Sequence, residues 1–481
     1  MDHSAKIIAL DIGTSRIKAA AFDENGTMSG LESLRLDRAA SPDRQDAEQW
    51  ASVSFRLLRT VSERTGQPEA VVLTGNMHAL LGVDAAGNPA APAELWSSGA
   101  AGAESQEIDR RYGDELPARF GNRCIPAFTL PKILRMKRIA PELYKNSLKF
   151  LQSKDFVSFR LTGKMCTDPS DASGVFGFDP VAKVWDVNFF RNLTLDPDKL
   201  PEVLPSSSFC GYVSPAAAAK TGLRAGTPVV TGSGDLASAA LGSGVGAKSV
   251  SLTLGTAGQL LAEGPLGGGR RLGGRLFVFA HADPAKELYL GSVPAGGFSF
   301  EWLAKMWNLP MEQFFRLADS APLSAEKTPL FFPYILGRGA PSMDYAPCGG
   351  WLGLDARQTP ADLCRGAVFG TLCPLRECLD LLETLTGCRE EIVLQALACR
   401  EKAVRETAAA LFHRQTAYLP ENSEASLLGA AILGFTALAR FPDVPAAAEA
   451  MVRKKKTDFP AESAAEQLYR RFREKAEAIH G

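Results

Sequence analysis

The order of apolar and polar positions along the chain predicts alternating strands and helices. Ile7 to Leu10 is a short run of strand formers closed by Asp11; Gly13-Thr14 turns the chain and Ile17 to Phe22 returns it. Asp23-Glu-Asn-Gly26 makes a second turn, with Asn-Gly as the hairpin signal. Asp46 to Glu63 has helical spacing, and Ala70 to Gly75 reads as a buried strand ending in a turn. Leu151 to Gly163 reads as a helix stopped by glycine. Val229 to Thr231 is an apolar strand, followed by the turn Gly232-Ser-Gly234, Asp235 and a helix of small residues from Leu236. Val250 to Leu254 and Gly255-Thr256 repeat the opening pattern, so two related α/β halves are expected. Helices are predicted over Thr359–Leu382 and Glu424–Leu433, with mixed-charge helices over the final forty or so residues.

Two carboxylates stand at chemically useful joints. Asp11 ends a strand and is followed by Gly13, Thr14, Ser15 and Lys18. Backbone N–H and hydroxyl groups there can face a phosphate while the carboxylate holds Mg²⁺; an ordinary hairpin is the other reading. Asp235 sits where a strand, a glycine turn and a helix N-terminus meet, and the helix dipole favours its ionised form, as a general base requires. An N-cap aspartate has the same pattern. Gly232-Ser-Gly234 also fits a dinucleotide loop weakly, with no acidic ribose partner evident.

Composition narrows the class. The 481 residues are 46% hydrophobic and 22% charged with a formal net charge of −1, which fits a multidomain soluble protein and gives no field favouring nucleic acid. The basic run Arg453-Lys-Lys-Lys456 reads as a solvated helix face. No apolar stretch is long enough to span a bilayer, and the amino terminus lacks a signal-peptide pattern. Nine dispersed cysteines without a Cys-x-x-Cys pair suit reduced thiols in a cytoplasmic protein, and five scattered histidines form no metal set.

Asp-x-Gly-Thr-Ser-x-x-Lys at Asp11 to Lys18 resembles the first phosphate motif of the FGGY carbohydrate kinases, and further motifs follow in order. Met77-His78 matches the Met-His of xylulokinase-like members. Lys154-Asp155 and Arg160-Leu-Thr-Gly163 resemble a family helix, and Thr167-Asp-Pro-Ser-Asp-Ala-Ser173 resembles Thr-Asp-Tyr-Ser-x-Ala-Ser. Most of these polar residues read as helix caps and Asx turns. Asp235, Gly255-Thr256, Gly297 and Gly429-Ala-Ala431 match later motifs. The resemblance implies an actin/hexokinase-like ATPase fold of the ribonuclease H-like kind, two domains with mixed sheets flanked by helices and a cleft between them. The expected divisions are 1–242 for sugar and phosphate, 243–440 for nucleotide, and 441–481 as a helical extension.

The activity so implied is ATP- and Mg²⁺-dependent phosphorylation of a xylulose-like ketose or related polyol. Asp235 would be the base and Asp11 would organise the metal. Gly13, Thr14, Ser15, Lys18, Gly255, Thr256 and Gly297 would face the nucleotide; Met77, His78 and Trp96 would face the sugar. The implied partners are a small sugar and a second copy of the chain in a homodimer, with neither nucleic acid nor membrane. Departures from the family pattern support an alternative, a catalytically impaired sugar- or nucleotide-sensing relative. Ser98 and Ala100 replace the Asp and Arg of Trp-x-Asp-x-Arg, and Ala396-Leu-Ala398 replaces the triple glycine of the adenosine motif. Glycines there allow positive φ, so that turn is expected to be altered. The glycine-rich stretch from Pro265 to Arg275 is expected to be a mobile surface loop.

Overall fold

The computed structural model describes residues 6–37, 41–421, 423–457 and 463–480. Two mixed sheets carry the chain. In the first, β1 (Ile7–Ile12), β2 (Arg16–Phe22), β3 (Met28–Arg35), β4 (Ala70–Gly75), β5 (Phe209–Tyr212) and β6 (Pro228–Gly234) lie in the order β5-β6-β4-β1-β2-β3. In the second, β7 (Ser249–Leu254), β8 (Gly258–Pro265), β9 (Phe277–Ala280), β10 (Lys286–Val293), β11 (Glu391–Ala396), β12 (Gln415–Tyr418) and β13 (Lys455–Thr457) lie in the order β13-β12-β11-β7-β8-β10-β9. Apart from the extra edge strand β9, the two orders match except at the far edge, where β5 precedes its neighbour β6 in the chain and β13 follows β12. In each half a hairpin pairs antiparallel, and its first strand also pairs parallel with a later one: Ile12 beside Gly75, Leu254 beside Ala396.

The central strands are apolar on both faces because both faces are covered. Ile8, Leu10, Val71 and Leu73 pack under α1 (Ala47–Thr65) with Trp50 and Leu58. Ile7, Ala9 and Val72 face a core that includes Ala237 and Ala240 of α4 (Asp235–Gly242) and Ile432 and Leu433 of α8 (Ala425–Ala437). Between these in sequence come α2 (Ser153–Thr162), α3 (Pro169–Val175), α5 (Gly297–Met306), α6 (Pro360–Thr386) and α7 (Lys402–Phe412). In the second half, α6 and α7 bury Phe369, Leu372 and Val404 against Val250 and Leu252, together with Leu468 and Phe472 of α9 (Ser463–His480).

Three local expectations change. The basic run lies on β13 and the residues before it rather than on a helix; Lys454 pairs with Glu391 on β11. Residues 441–481 therefore complete the second sheet as well as adding helices. The stretch after Pro265 is pinned rather than free: Glu287 accepts from the N–H groups of Gly267 and Gly269, and Arg270 bonds both oxygens of Asp179 at 3.0 Å. Among the described residues, no helix is long and apolar enough to cross a membrane.

Candidate active site

The parallel pairing of β1, β4 and β6 brings three strand ends together, with Ile12 beside Gly75 and Gly75 beside Gly234. Asp11 lies on β1, and Asp235 follows β6 as the first residue of α4. Both are partly buried, and burial raises the Asp11 carboxyl to about 6 against the pull of Lys18 and with the push of Glu424. Asp235 is raised to about 7 by burial first and by the negative charge of Asp11 second. The Leu236 N–H bonds Asp235 Oδ1 at 2.8 Å. The helix terminus alone implies a low pKa for Asp235; removal from water outweighs it.

The first turn sits beside them. Lys18 lies opposite Asp11 on β2 and its ammonium is 2.6 Å from Glu424, the residue that precedes α8. That ion pair joins the first hairpin to the second half. Trp96, half exposed, donates its indole N–H to Thr14 Oγ1 at 3.2 Å, so it stands over the first turn. Gly13 and Ser15 complete that turn, with the Gly13 N–H bonded to Arg16 O at 3.1 Å.

A second turn stands at the equivalent place in the other half, at the end of β7. Thr256 O accepts from the N–H groups of Gly296 and Phe298, and Gly255 O accepts from Gly297 at 2.7 Å, which staples the start of α5 to the Gly255-Thr256 turn. A Cβ on Gly297 would stand 2.5 Å from Gly255 O, so only glycine allows this approach. It would also lie 2.9 Å from Leu397 Cδ1, which places one of the substituted triple-glycine positions against the turn. Ala396 adopts φ 55 and ψ −130, a conformation that favours glycine. The backbone has kept a glycine-like bend without the glycine.

Met77 and His78 follow β4. Met77 is buried against Gly234, whose Cβ would lie 2.6 Å from Met77 Cγ. His78 has φ 66, and its Nδ1 is 2.8 Å from the Gly174 carbonyl. A carbonyl only accepts, so Nδ1 carries the proton and Nε2 is left as an acceptor. Burial lowers the imidazole to about 4, which keeps it neutral. Phe128 and Phe279 flank the ring at 5.3 and 5.7 Å.

Some residues of this site escaped the sequence reading. Lys132 donates to the carbonyls of His78, Leu95 and Ala127, each at 2.8 Å, and so fixes the backbone of the Met77-His78 turn; burial lowers it to about 7. Ser98 is buried and donates to Glu94 at 2.7 Å, and Glu94 pairs with Arg44 at 3.0 Å. A carboxylate and a guanidinium thus stand beside Ser98 although Asp and Arg are absent from the motif itself. Ala100 is exposed. The Pro-Lys segment at Lys132 gave the one sequence signal; Glu94 had none.

Residues 6–242 match the N-terminal domain of the FGGY family of carbohydrate kinases, and residues 282–438 match its C-terminal domain. The chain belongs to this family. It is 26% identical to the xylulose kinase of Bacillus subtilis over 94% of this chain and 92% of that one. It is 28% identical to the xylulose kinase of Escherichia coli over 89% of each. The solved xylulose kinase of Rhodospirillum rubrum superposes with a TM-score of 0.86 at 24% identity, covering 99% of both chains. These structural neighbours share the two-domain actin/hexokinase-like fold. The protein is a carbohydrate kinase of the FGGY family.

A magnesium ion and ATP suit the donors present. Mg²⁺ takes one or two carboxylates and keeps its remaining positions for water and phosphate. Asp11 and Asp235 concentrate negative charge in a partly dry place, shown by both raised carboxyls, and a divalent cation would offset it. Two Gly-Thr turns, one from each half, supply hydroxyl and backbone groups for a polyphosphate.

Proposed function

We propose that this kinase transfers the γ-phosphoryl group of ATP to a hydroxyl of a xylulose-like ketose or related polyol, in the cytoplasm. The observation that carries this reading is the placing of Asp11 and Asp235 at strand ends on either side of β4, where the charge of Asp11 acts on Asp235. Asp235 takes the proton of the attacking hydroxyl. The hydroxyl oxygen bonds to the γ-phosphorus as the bond from phosphorus to the bridging oxygen breaks, and ADP leaves. An Asp235 pKa of about 7 lets the carboxylate be ionised at neutral pH yet basic enough to accept the proton.

Asp11 holds Mg²⁺, which when bound neutralises charge on the transferring phosphoryl group. Thr14, Ser15 and Lys18 on one side, with Gly255, Thr256 and Gly297 on the other, hold the nucleotide phosphates. Met77 forms the apolar wall of the sugar site and His78 Nε2 accepts from a sugar hydroxyl. Approach of the two halves, already bridged by Lys18 and Glu424, excludes water from the phosphoryl group.

The test is ADP release with ATP and Mg²⁺ over a panel of pentuloses, polyols and heptuloses. Turnover with a ketopentose that Asp235→Asn abolishes supports the proposal. Sugar binding without turnover for any acceptor overturns it in favour of a sensor, the reading that the substituted turn at Ala396 supports.

A further inference from the structure

Behind Asp235 lies a buried charged cluster that no substrate needs to touch. Lys154 Nζ is 2.7 Å from Asp155, 3.0 Å from Asp168 and 3.1 Å from Asp171, and all four side chains are at most 2% exposed. One ammonium among three carboxylates is a costly thing to bury. Two helix starts share the load: Asp155 reaches back over the first turn of α2 to the Gln152 N–H, and Asp168 caps α3. Burial also pushes the Asp171 carboxyl well up, against the pull of Lys154.

The cluster reaches the site along one short path. Asp168 Oδ2 accepts from Ser170 Oγ at 2.6 Å, and Ser170 Oγ accepts from the Gly234 N–H at 2.9 Å. Gly234 is the residue before Asp235 and the N-cap of its helix. Its backbone angles set the direction in which the carboxylate leaves the chain. The same assembly holds the sugar wall: Ser153 Oγ donates to Asn76 O at 3.0 Å, and the Gly174 carbonyl of α3 meets His78.

We propose that Lys154, Asp168 and Ser170 are positioning residues, a strut that locks the main chain at Gly234 and so aims Asp235 at the acceptor hydroxyl. The inference rests on the reading of Asp235 as the base. A second arm of the cluster gives an internal control. Ser206 Oγ donates to the same Asp168 oxygen at 2.9 Å, yet among the described residues its side chain makes no hydrogen bond to Gly234. Losing Ser206 perturbs the cluster alone; losing Ser170 also frees the base.

The experiment compares Ser170→Ala, Ser206→Ala and Asp235→Asn by steady-state kinetics with D-xylulose, ATP and Mg²⁺, on protein quantified as folded by circular dichroism. Ser170→Ala is expected to lower kcat roughly ten- to hundredfold, the scale of a misplaced reacting group, with the KM for ATP within about twofold of wild type. Ser206→Ala is expected to keep kcat within about threefold. Equal losses in the two serine variants, or a Ser170→Ala loss that appears only in KM, overturn the strut. If Ser170→Ala does not accumulate, Ser170→Cys, which keeps only a weak acceptor, takes its place; a smaller loss confined to kcat is then expected, and no loss in kcat overturns the strut. Inactive Asp235→Asn beside unchanged Ser170→Ala overturns the strut alone; active Asp235→Asn overturns the base and the strut with it.

Discussion

Gly429 of α8 crosses Ser238 of α4 so closely that a Cβ at 429 would stand 1.8 Å from the Ser238 carbonyl oxygen. The contact is reciprocated: a Cβ at Gly242 would lie 1.9 Å from Ala425 O. The two helices follow equivalent strands, β6 and β12, and touch backbone to backbone. Because α4 begins at Asp235 and α8 begins beside Glu424, this crossing sets how the two halves meet at the site.

Gly429→Ala should therefore be damaging although the position lies in a helix that alanine favours. No flexible side-chain end is available to move; the helices themselves must separate. Overpacking of this kind costs about 3 kcal/mol, well above the roughly 1 kcal/mol helix-propensity gain of alanine over glycine. Thermal unfolding should show a Tm lower by several degrees, and an unchanged Tm would mean that the helices part freely.

The raised carboxyls make a pH prediction. With Asp235 at about 7 in the folded free enzyme, kcat/KM for the sugar should climb with pH and level off above about 7. The same shift bears on stability. The folded state holds this proton more tightly than the unfolded chain, whose value is near 3.8. Stability from this group is complete below the unfolded value and is lost as pH rises towards 7. Asp235→Asn removes the penalty, so its Tm should exceed that of wild type at pH 8 and approach it below pH 4, while turnover is lost. Differential scanning calorimetry across that range checks the sign.

Much of this architecture was legible in order along the chain, because strand, turn and carboxylate recur at Asp11 and again at Gly255 without Asp. The order of strands in each sheet was not legible, since pairing between strands far apart in sequence leaves no local signature. The helix cap at Asp168 was readable for the opposite reason: it acts within three residues. The Asp235 pKa was misjudged because burial is a property of the assembled site. Lys154 was noted as part of a helix motif, but its three aspartate neighbours include two from the next helix. Glu94 had no signal, because its partners Arg44 and Ser98 converge on it only in the fold.

Ala396 tests the substituted turn directly. At φ 55 and ψ −130 a Cβ costs about 1–3 kcal/mol, and glycine returns part of that as unfolded-chain freedom, about 0.4–1 kcal/mol. Ala396→Gly should raise stability by about 1 kcal/mol and Tm by about 1 °C for a protein of this size. The KM for ATP should fall in the same variant while the KM for the sugar stays fixed. A lower Tm would show that Ala396 makes contacts that outweigh its strain.

His78 requires a substitution that respects its backbone. At φ 66 most side chains are strained, but asparagine tolerates the left-handed region nearly as well as histidine does. His78→Asn therefore keeps the turn and the Lys132 bond to the residue 78 carbonyl while withdrawing the imidazole from the site. The lost acceptor leaves a sugar hydroxyl unpaired, worth about 1–3 kcal/mol, which is roughly a tenfold or larger rise in the sugar KM. The KM for ATP should not move, since the phosphate turns lie on other segments. Because the ring is already neutral, the pH dependence of kcat/KM should stay that of Asp235. A variant that altered the pH profile and left the sugar KM untouched would place His78 in proton transfer rather than in sugar recognition.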